Sequence, residues 1–273
     1  MKYVVLTLLL LALSIIVPIL IFILIEKIRN NKYKLWIKAL VTSISSIVII
    51  IFTICVYLGV FYRATDDVLN YLKSDNDVVF YETDDYYFFD NKNNDDKAII
   101  FYPGGKVEES AYAPLISKIA HEGIDAYIVK MPFHFALFGI NKANIILNNT
   151  NYKDIYLMGH SLGGTSITSY LSKSSYKFKG IIYLASYPSN KISDDLSSLS
   201  IYGTNDEVLN KNDYIKNKEL LPKNNYEVVI EGGNHGYFGN YGEQRHDGIA
   251  TITRENQQEL TKNAIIKFIN GTI

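Results

Sequence analysis

The chain has only one cysteine, one tryptophan and three methionines in 273 residues. The lone thiol, Cys55, excludes an intrachain disulfide and any cysteine-based metal site. There is no marked charge excess either: 27 Lys and Arg against 28 Asp and Glu give a formal net charge of −1. Seven of the basic residues and one acidic residue fall in 1–63, which leaves the remainder mildly acidic and argues against nucleic acid as a partner. No internal repeat is evident, and low complexity is confined to apolar runs and short Asn/Asp loops.

Apolar residues are abundant, at 48% of the chain, and they are unevenly placed. "YVVLTLLLLALSIIVPILIFILI" (3–25) has no charge and is long enough for roughly 34 Å of helix, against a hydrocarbon core of about 30 Å. A second uncharged run, "ALVTSISSIVIIIFTICVYLGVFY", covers 39–62 and contains Cys55. The first run exceeds the h-region of a secretory signal and ends without a small-residue cleavage site. Apolar on every face, the two runs predict a transmembrane hairpin over 1–63, with Pro18 tolerated inside the first helix. The connecting "EKIRNNKYKLWIK" is basic, so it is expected on the cytoplasmic side, with the rest of the chain extracytoplasmic. Residues 64–76 read as a juxtamembrane linker and 77–273 as a separate domain.

In that domain, short β-rich runs alternate with helical ones. Strands are predicted at 78–83, 86–90, 97–102, 125–130, 154–159, 180–187, 199–203 and 226–232. Helices are predicted at 109–123, 141–149, 164–174 and 253–269. The first two strands suggest a hairpin; the later alternation predicts an α/β fold, a mainly parallel sheet with helices on both faces.

The chemistry centres on "GHSLGG" (159–164), set between a strand and a helix. A sharp turn there strains the serine backbone and lifts the Ser161 hydroxyl above the sheet edge. A hydroxyl needs a base to become a nucleophile, and the base needs an acid to orient it. Asp206 follows one apolar strand in "SIYGTNDEVL", with Glu207 as understudy, and His235 follows the last strand in "VVIEGGNHGYF". His246 is the alternative base. An oxyanion hole needs two backbone N–H groups. Leu162 is expected to give one, and Gly105 or Lys106, in the "PGGK" turn, the other. His160 is tied too closely to the turn to act as the base, but it could line the cleft. His121 reads as a surface residue; His134 reads equally as substrate contact or packing. Tyr112, Phe133 and Tyr237, with Phe135, Phe238 and Tyr241, are candidates to rim the site.

Taken together, "FYPGGKVEESAYAPL", "GHSLGG", "YGTNDEV" and "GGNHGYFGNYGEQRHDGIATITRENQQ" resemble the alpha/beta-hydrolase superfamily. The similarity is closest to its small, lidless bacterial group known as alpha/beta hydrolase fold-5, over about 75–270. The resemblance implies a serine hydrolase with Ser161, Asp206 and His235 as triad and an oxyanion donor near Gly105–Lys106. It does not cover the hairpin and does not fix the substrate. The short stretch 188–199, where many relatives insert a cap, predicts an open site. The expected function is therefore a membrane-anchored serine hydrolase acting on an ester or related acyl bond through an acyl-enzyme, without metal or cofactor. Its expected partners are a small-molecule or lipid-like acyl substrate and the lipid bilayer. Acyl transfer by the same triad is one alternative, and a catalytically silent binding module on this fold is another.

Overall fold

A computed structural model describes residues 2–30, 32–93 and 96–272, with side chains described from residue 12 onward. The chain forms two compact units, one up to Val60 and one from Phe61 onward.

The first unit holds α1 (Lys2–Arg29) and α2 (Leu35–Gly59). Among the described residues, α2 is the one helix long and apolar enough to cross a membrane, and none of its residues is buried. Of the span expected at 3–25, the side chains of 3–11 lie outside the described residues. The expected second span, 39–62, requires correction at both ends. The helix starts earlier because the Lys38 ammonium meets the Glu26 carboxylate at 2.7 Å, so a charged residue is accommodated in its first turn. It stops earlier because Val60 is extended and Tyr62 is drawn into a β-bridge with Val107.

The second unit is built on eight strands: β1 (Val78–Glu82), β2 (Tyr86–Asn91), β3 (Lys97–Tyr102), β4 (Asp125–Val129), β5 (Asp154–His160), β6 (Gly180–Leu184), β7 (Ser197–Gly203) and β8 (Asn224–Ile230). Their order in the sheet is β1-β2-β4-β3-β5-β6-β7-β8. β1 pairs antiparallel with β2 and β2 with β4; every other pairing is parallel. The helices are α3 (Ala113–Ala120), α4 (Ala143–Leu147), α5 (Leu162–Leu171), α6 (Lys211–Asn217) and α7 (Arg254–Ile269).

The period of two in the strands sorts side chains between two cores. In β3, Ile99 and Phe101 face one side, against Leu115, Ile116 and Ile265 of α3 and α7. Ala98, Ile100 and Tyr102 face the other, with Ile146 and Ile167 of α4 and α5. Each fully buried side chain of this size contributes about 1.5–3 kcal/mol. The helix expected from 109 opens instead as a 3-10 turn, Glu109–Tyr112, before α3 begins. The short α6, capped by the Asn210 side chain on the N–H groups of Asn212 and Asp213, is an addition to the expected elements.

The stretch 64–76, read as a linker, is packed into the second unit. Tyr62 N–H donates to the Lys106 carbonyl (2.7 Å), and Glu108 N–H donates to the Tyr62 carbonyl (2.9 Å). Thr65 N–H donates to the Asn240 carbonyl (2.9 Å), and the Asn240 amide donates to Asp67 (2.6 Å). Because the strands are parallel, the loops after β3, β4, β5, β6, β7 and β8 all emerge at one sheet edge, where ligand sites of open α/β sheets lie.

Candidate active site

The turn after β5 puts Ser161 at φ 51°, ψ −119°, a left-handed conformation costly for a residue with a side chain. Backbone contacts force it. A Cβ on Gly159 would lie 2.5 Å from the Gly163 carbonyl carbon, and one on Gly163 would lie 2.1 Å from the Tyr102 carbonyl oxygen. The strand can meet the helix this closely only with glycine at both positions. Ser161 N–H donates to the Leu184 carbonyl (2.9 Å), and its own carbonyl accepts from the Ser186 hydroxyl (2.6 Å). These bonds fix the backbone of Ser161, which lines a cleft at this sheet edge.

His235 and Asp206 arrive from the ends of β8 and β7. His235 Nδ1 lies 2.9 Å from Asp206 Oδ2, and both side chains are buried. The other carboxylate oxygen accepts from the N–H groups of Val208 (2.9 Å) and Leu209 (2.7 Å). The acid is thus satisfied on both oxygens and has one orientation. His235 Nε2 carries no hydrogen bond among the described residues, although Ser161 and His235 line the same cleft. Glu207 is exposed and His246 sits exposed at φ 67°, so neither of the alternative acid and base lines that cleft.

Residues that the sequence reading did not single out hold the His235 loop. The Asp247 carboxylate accepts from the N–H groups of His235 (3.2 Å), Gly236 (2.8 Å) and Gly248 (2.8 Å). Gln257, fully buried on α7, accepts Asn234 N–H (2.9 Å) and donates to the Asn234 carbonyl (2.8 Å). The only available signal was polar residues at inward positions of a helix and loop, which without a structure looks like an ordinary solvated face.

In the turn after β3, Lys106 N–H donates to the His134 carbonyl (2.6 Å). That bond corrects the expectation of Lys106 as an alternative oxyanion donor, because its N–H is already engaged. Gly104 N–H is likewise engaged, by the Tyr112 hydroxyl (3.1 Å). Gly105 and Leu162 remain, and a Cβ on Gly105 would meet the Leu162 side chain at 2.8 Å, so the two positions are adjacent.

Several expected rim residues are placed elsewhere. Tyr112 is fully buried, its hydroxyl 2.8 Å from His160 Nδ1. His160 is buried as well, its ring 4.6 Å from the His235 ring, and burial pushes its pKa well below 6.5, with His235 adding to the effect. Neither rims the cleft; both are buried, with His160 packed against the His235 ring. Phe238 and Tyr241 are buried core. Tyr237 lines a separate cavity with Asn234 and Asp247, under the Arg254 guanidinium at 4.8 Å. Phe133 is 61% exposed on the loop after β4 and does not line the cleft. His121, the expected surface residue, has a partly exposed side chain bonded to Asp75 (2.9 Å).

The cleft itself, of about 240 Å³, is walled by Leu162, Ala185, Tyr187, Val208 and Leu209 around Ser161 and His235. The sequence signal for this wall was position alone: each residue follows a strand end or the serine. A larger cavity of about 630 Å³ near Tyr176, Phe178 and Ile192 contains none of the candidate catalytic groups, so chemistry rather than size marks the smaller one.

His134, left open between substrate contact and packing, forms an ion pair with Glu109. Its Nδ1 lies 2.9 Å from the buried Glu109 carboxylate, whose other oxygen accepts Met131 N–H (2.9 Å). The Glu109 hydrogen bond raises the His134 pKa above 6.5 against the effect of its partial burial. Among the described residues no cluster of His, Cys, Asp and Glu could hold a metal ion.

This sheet order, with a strained serine turn after β5 and an acid–histidine pair after β7 and β8, defines the fold of an alpha/beta hydrolase. A profile of the alpha/beta hydrolase family matches residues 98–259, more than half of the chain, and the chain belongs to that family. Solved structures with the same fold include Est1E from Butyrivibrio proteoclasticus with ferulic acid bound, at 16% identity and a TM-score of 0.52, covering 71% of this chain and 98% of that one. The alpha/beta hydrolase domain-containing protein 10 from mouse is another, at 11% identity and a TM-score of 0.52, covering 72% and 100%. At these identities the likeness is one of fold. A search of curated proteins finds no match.

Proposed function

We propose that the protein is a membrane-anchored serine hydrolase that cleaves a carboxylic ester, with Ser161, His235 and Asp206 as its triad. The observation that carries this reading is the buried 2.9 Å contact between His235 and Asp206, with His235 opening onto the same cleft as the strained Ser161. Ser161 Oγ attacks the ester carbonyl carbon while its proton passes to His235 Nε2. Asp206 fixes the imidazole with Nε2 toward the serine and stabilises the imidazolium. The negative charge on the carbonyl oxygen is held by the N–H groups of Leu162 and Gly105, each donor being worth about 10²–10³ in rate. Collapse breaks the bond to the alcohol oxygen, which takes the proton from His235. Water, deprotonated by the same His235, then attacks the acyl-enzyme and releases the carboxylic acid, returning the proton to Ser161. The apolar wall of the cleft suits the acyl portion of the substrate.

The anchor in this proposal is a hairpin of two spans, the segment 3–25 and α2. The basic connection 26–34 stays in the cytoplasm, and the catalytic unit lies outside. A fluorophosphonate probe tests both parts. In a detergent lysate it should label the wild-type protein and not Ser161→Ala; a folded wild type that takes no label sinks the hydrolase reading. A membrane-impermeant version of the probe should label intact cells equally well, and labelling only after lysis reverses the topology.

A further inference from the structure

Three large apolar side chains of the loop after β4 stand in solvent: Phe133, Leu137 and Phe138 are 61%, 49% and 58% exposed. They form one shoulder. The Phe133 and Phe138 rings meet edge to face at 6.0 Å, and Phe135 packs on Phe138 at 5.9 Å. Contiguous apolar surface of this kind marks a contact with another apolar body. The backbone beneath it is held at a cost: Phe133 and His134 both adopt left-handed φ, 55° and 54°. Glu109 holds them there, taking Met131 N–H on one oxygen and His134 Nδ1 on the other. This strain keeps the aromatic side chains outside the core, so internal packing does not account for it.

The chain itself indicates what covers the shoulder. The Phe61 ring lies on the His134 ring, centroids 3.9 Å apart, and the exposed Arg63 guanidinium stands 5.7 Å from Phe61. α2 ends at Gly59, two residues before Phe61. With consecutive Cα atoms about 3.8 Å apart, a membrane holding the end of α2 lies within roughly 10 Å of Phe61. Aromatic rings and arginine are the side chains that settle at that depth. The loop that carries the shoulder also connects to the cleft: the His134 carbonyl accepts Lys106 N–H, and Gly105 beside it lies against Leu162, part of the cleft wall.

We infer that residues 133–138 rest in the surface of the bilayer entered by α2, and that Ser161 takes its acyl substrate from that bilayer: an ester of a membrane lipid, admitted along this shoulder. The inference rests on the anchored serine hydrolase reading and adds its substrate class.

The test uses the full chain in phosphatidylcholine vesicles doped with a phosphatidylcholine carrying a pyrene-labelled acyl chain, with p-nitrophenyl acetate supplied in the water phase. Combining Leu137→Ser with Phe138→Ser should lower pyrenyl fatty acid release about tenfold or more, the loss of two apolar contacts with the bilayer. The rate on p-nitrophenyl acetate should stay within about twofold, which also shows that the variant is folded. Phe138→Trp should retain the vesicle rate, as tryptophan serves equally at an interface. Equal loss on both substrates, or no loss on vesicles, overturns the inference. A wild type that cleaves p-nitrophenyl acetate and no vesicle lipid overturns it while leaving the hydrolase reading standing. A wild type that cleaves neither and takes no fluorophosphonate label removes both.

Discussion

Among the loops at this sheet edge that place non-glycine residues at left-handed φ, those after β5 and β4 are held in different ways. The turn after β5 carries Ser161 at φ 51°, and neighbouring backbone confines it: glycines 159 and 163 have no room for a Cβ. The loop after β4 carries Phe133 and His134 at 55° and 54°, and the side chain of Glu109 confines it. Steric confinement does not depend on pH or salt, so the nucleophile keeps its geometry under all folding conditions. Confinement by an ion pair adapts to its surroundings, and it is found in the loop that faces solvent and, on our proposal, lipid. Fixed geometry and adjustable geometry thus lie on either side of Leu162 and Gly105, the two proposed oxyanion donors.

The sharpest way to break this contrast is Gly163→Ala. Its Cβ would fall 2.1 Å from the Tyr102 carbonyl oxygen and 2.5 Å from the Pro103 carbonyl oxygen, and neither is the end of a flexible side chain. Strand and helix must separate, at a cost of about 3 kcal/mol or more, with fluorophosphonate labelling lost at every pH. A variant that denatures like wild type and still labels would show that the turn is looser than its contacts imply. Glu109→Gln is a milder probe of the other loop. It keeps an acceptor for Met131 N–H and removes the charge facing His134, at a cost of about 1–3 kcal/mol. Because the His134 carbonyl holds Lys106 N–H, the neighbouring Gly105 N–H should lose alignment. The expectation is a drop in kcat of about tenfold with KM little changed, less than the loss of a full oxyanion donor. A change confined to KM would show that Glu109 serves substrate binding instead.

How much of this was legible in the sequence depends on what kind of contact makes each feature. Strand positions were legible because burial on both faces writes continuous apolar runs such as "AIIFY" and "GIIYL". The turn at Ser161 was legible because its glycines are a steric necessity spaced along a few residues. Asp247, Gln257 and Glu109 were not. Each acts by bonding backbone groups from a distant segment, and nothing local separates such a residue from a solvated one. Tyr112 and His160 were misplaced for a related reason. An aromatic or histidine near a strand end reads the same whether it faces the cleft or lies beneath it, and only the contact between the Tyr112 hydroxyl and His160 Nδ1 turns both inward. The start of α2 was misread because a charge at position 38 looked like a boundary, whereas Glu26 of α1 pairs with it; the end was misread because the Tyr62–Val107 bridge joins segments far apart in the chain.

The smallest effect separates the two loops by pH. His134 has its pKa raised above its ordinary 6.5, first by the Glu109 hydrogen bond and then by the charges of Glu109 and Glu108. A histidine with a higher pKa folded than unfolded contributes its full stabilisation below the unfolded value and loses it as pH rises through the folded one. Wild type should therefore exceed His134→Gln in stability by about 1 kcal/mol on the acid side of neutrality, a modest figure because the pair is partly exposed. The advantage should shrink toward zero on the alkaline side. Urea denaturation of the two proteins in detergent, across that range, measures the difference directly. Fluorophosphonate labelling in wild type should keep the sterically held turn in place throughout, while the shoulder at Phe133 and Phe138, followed by protease nicking, loosens as His134 loses its proton. A stability advantage that grows with pH would mean that the imidazole is held neutral, and that the loop after β4 is confined by packing just as the turn after β5 is.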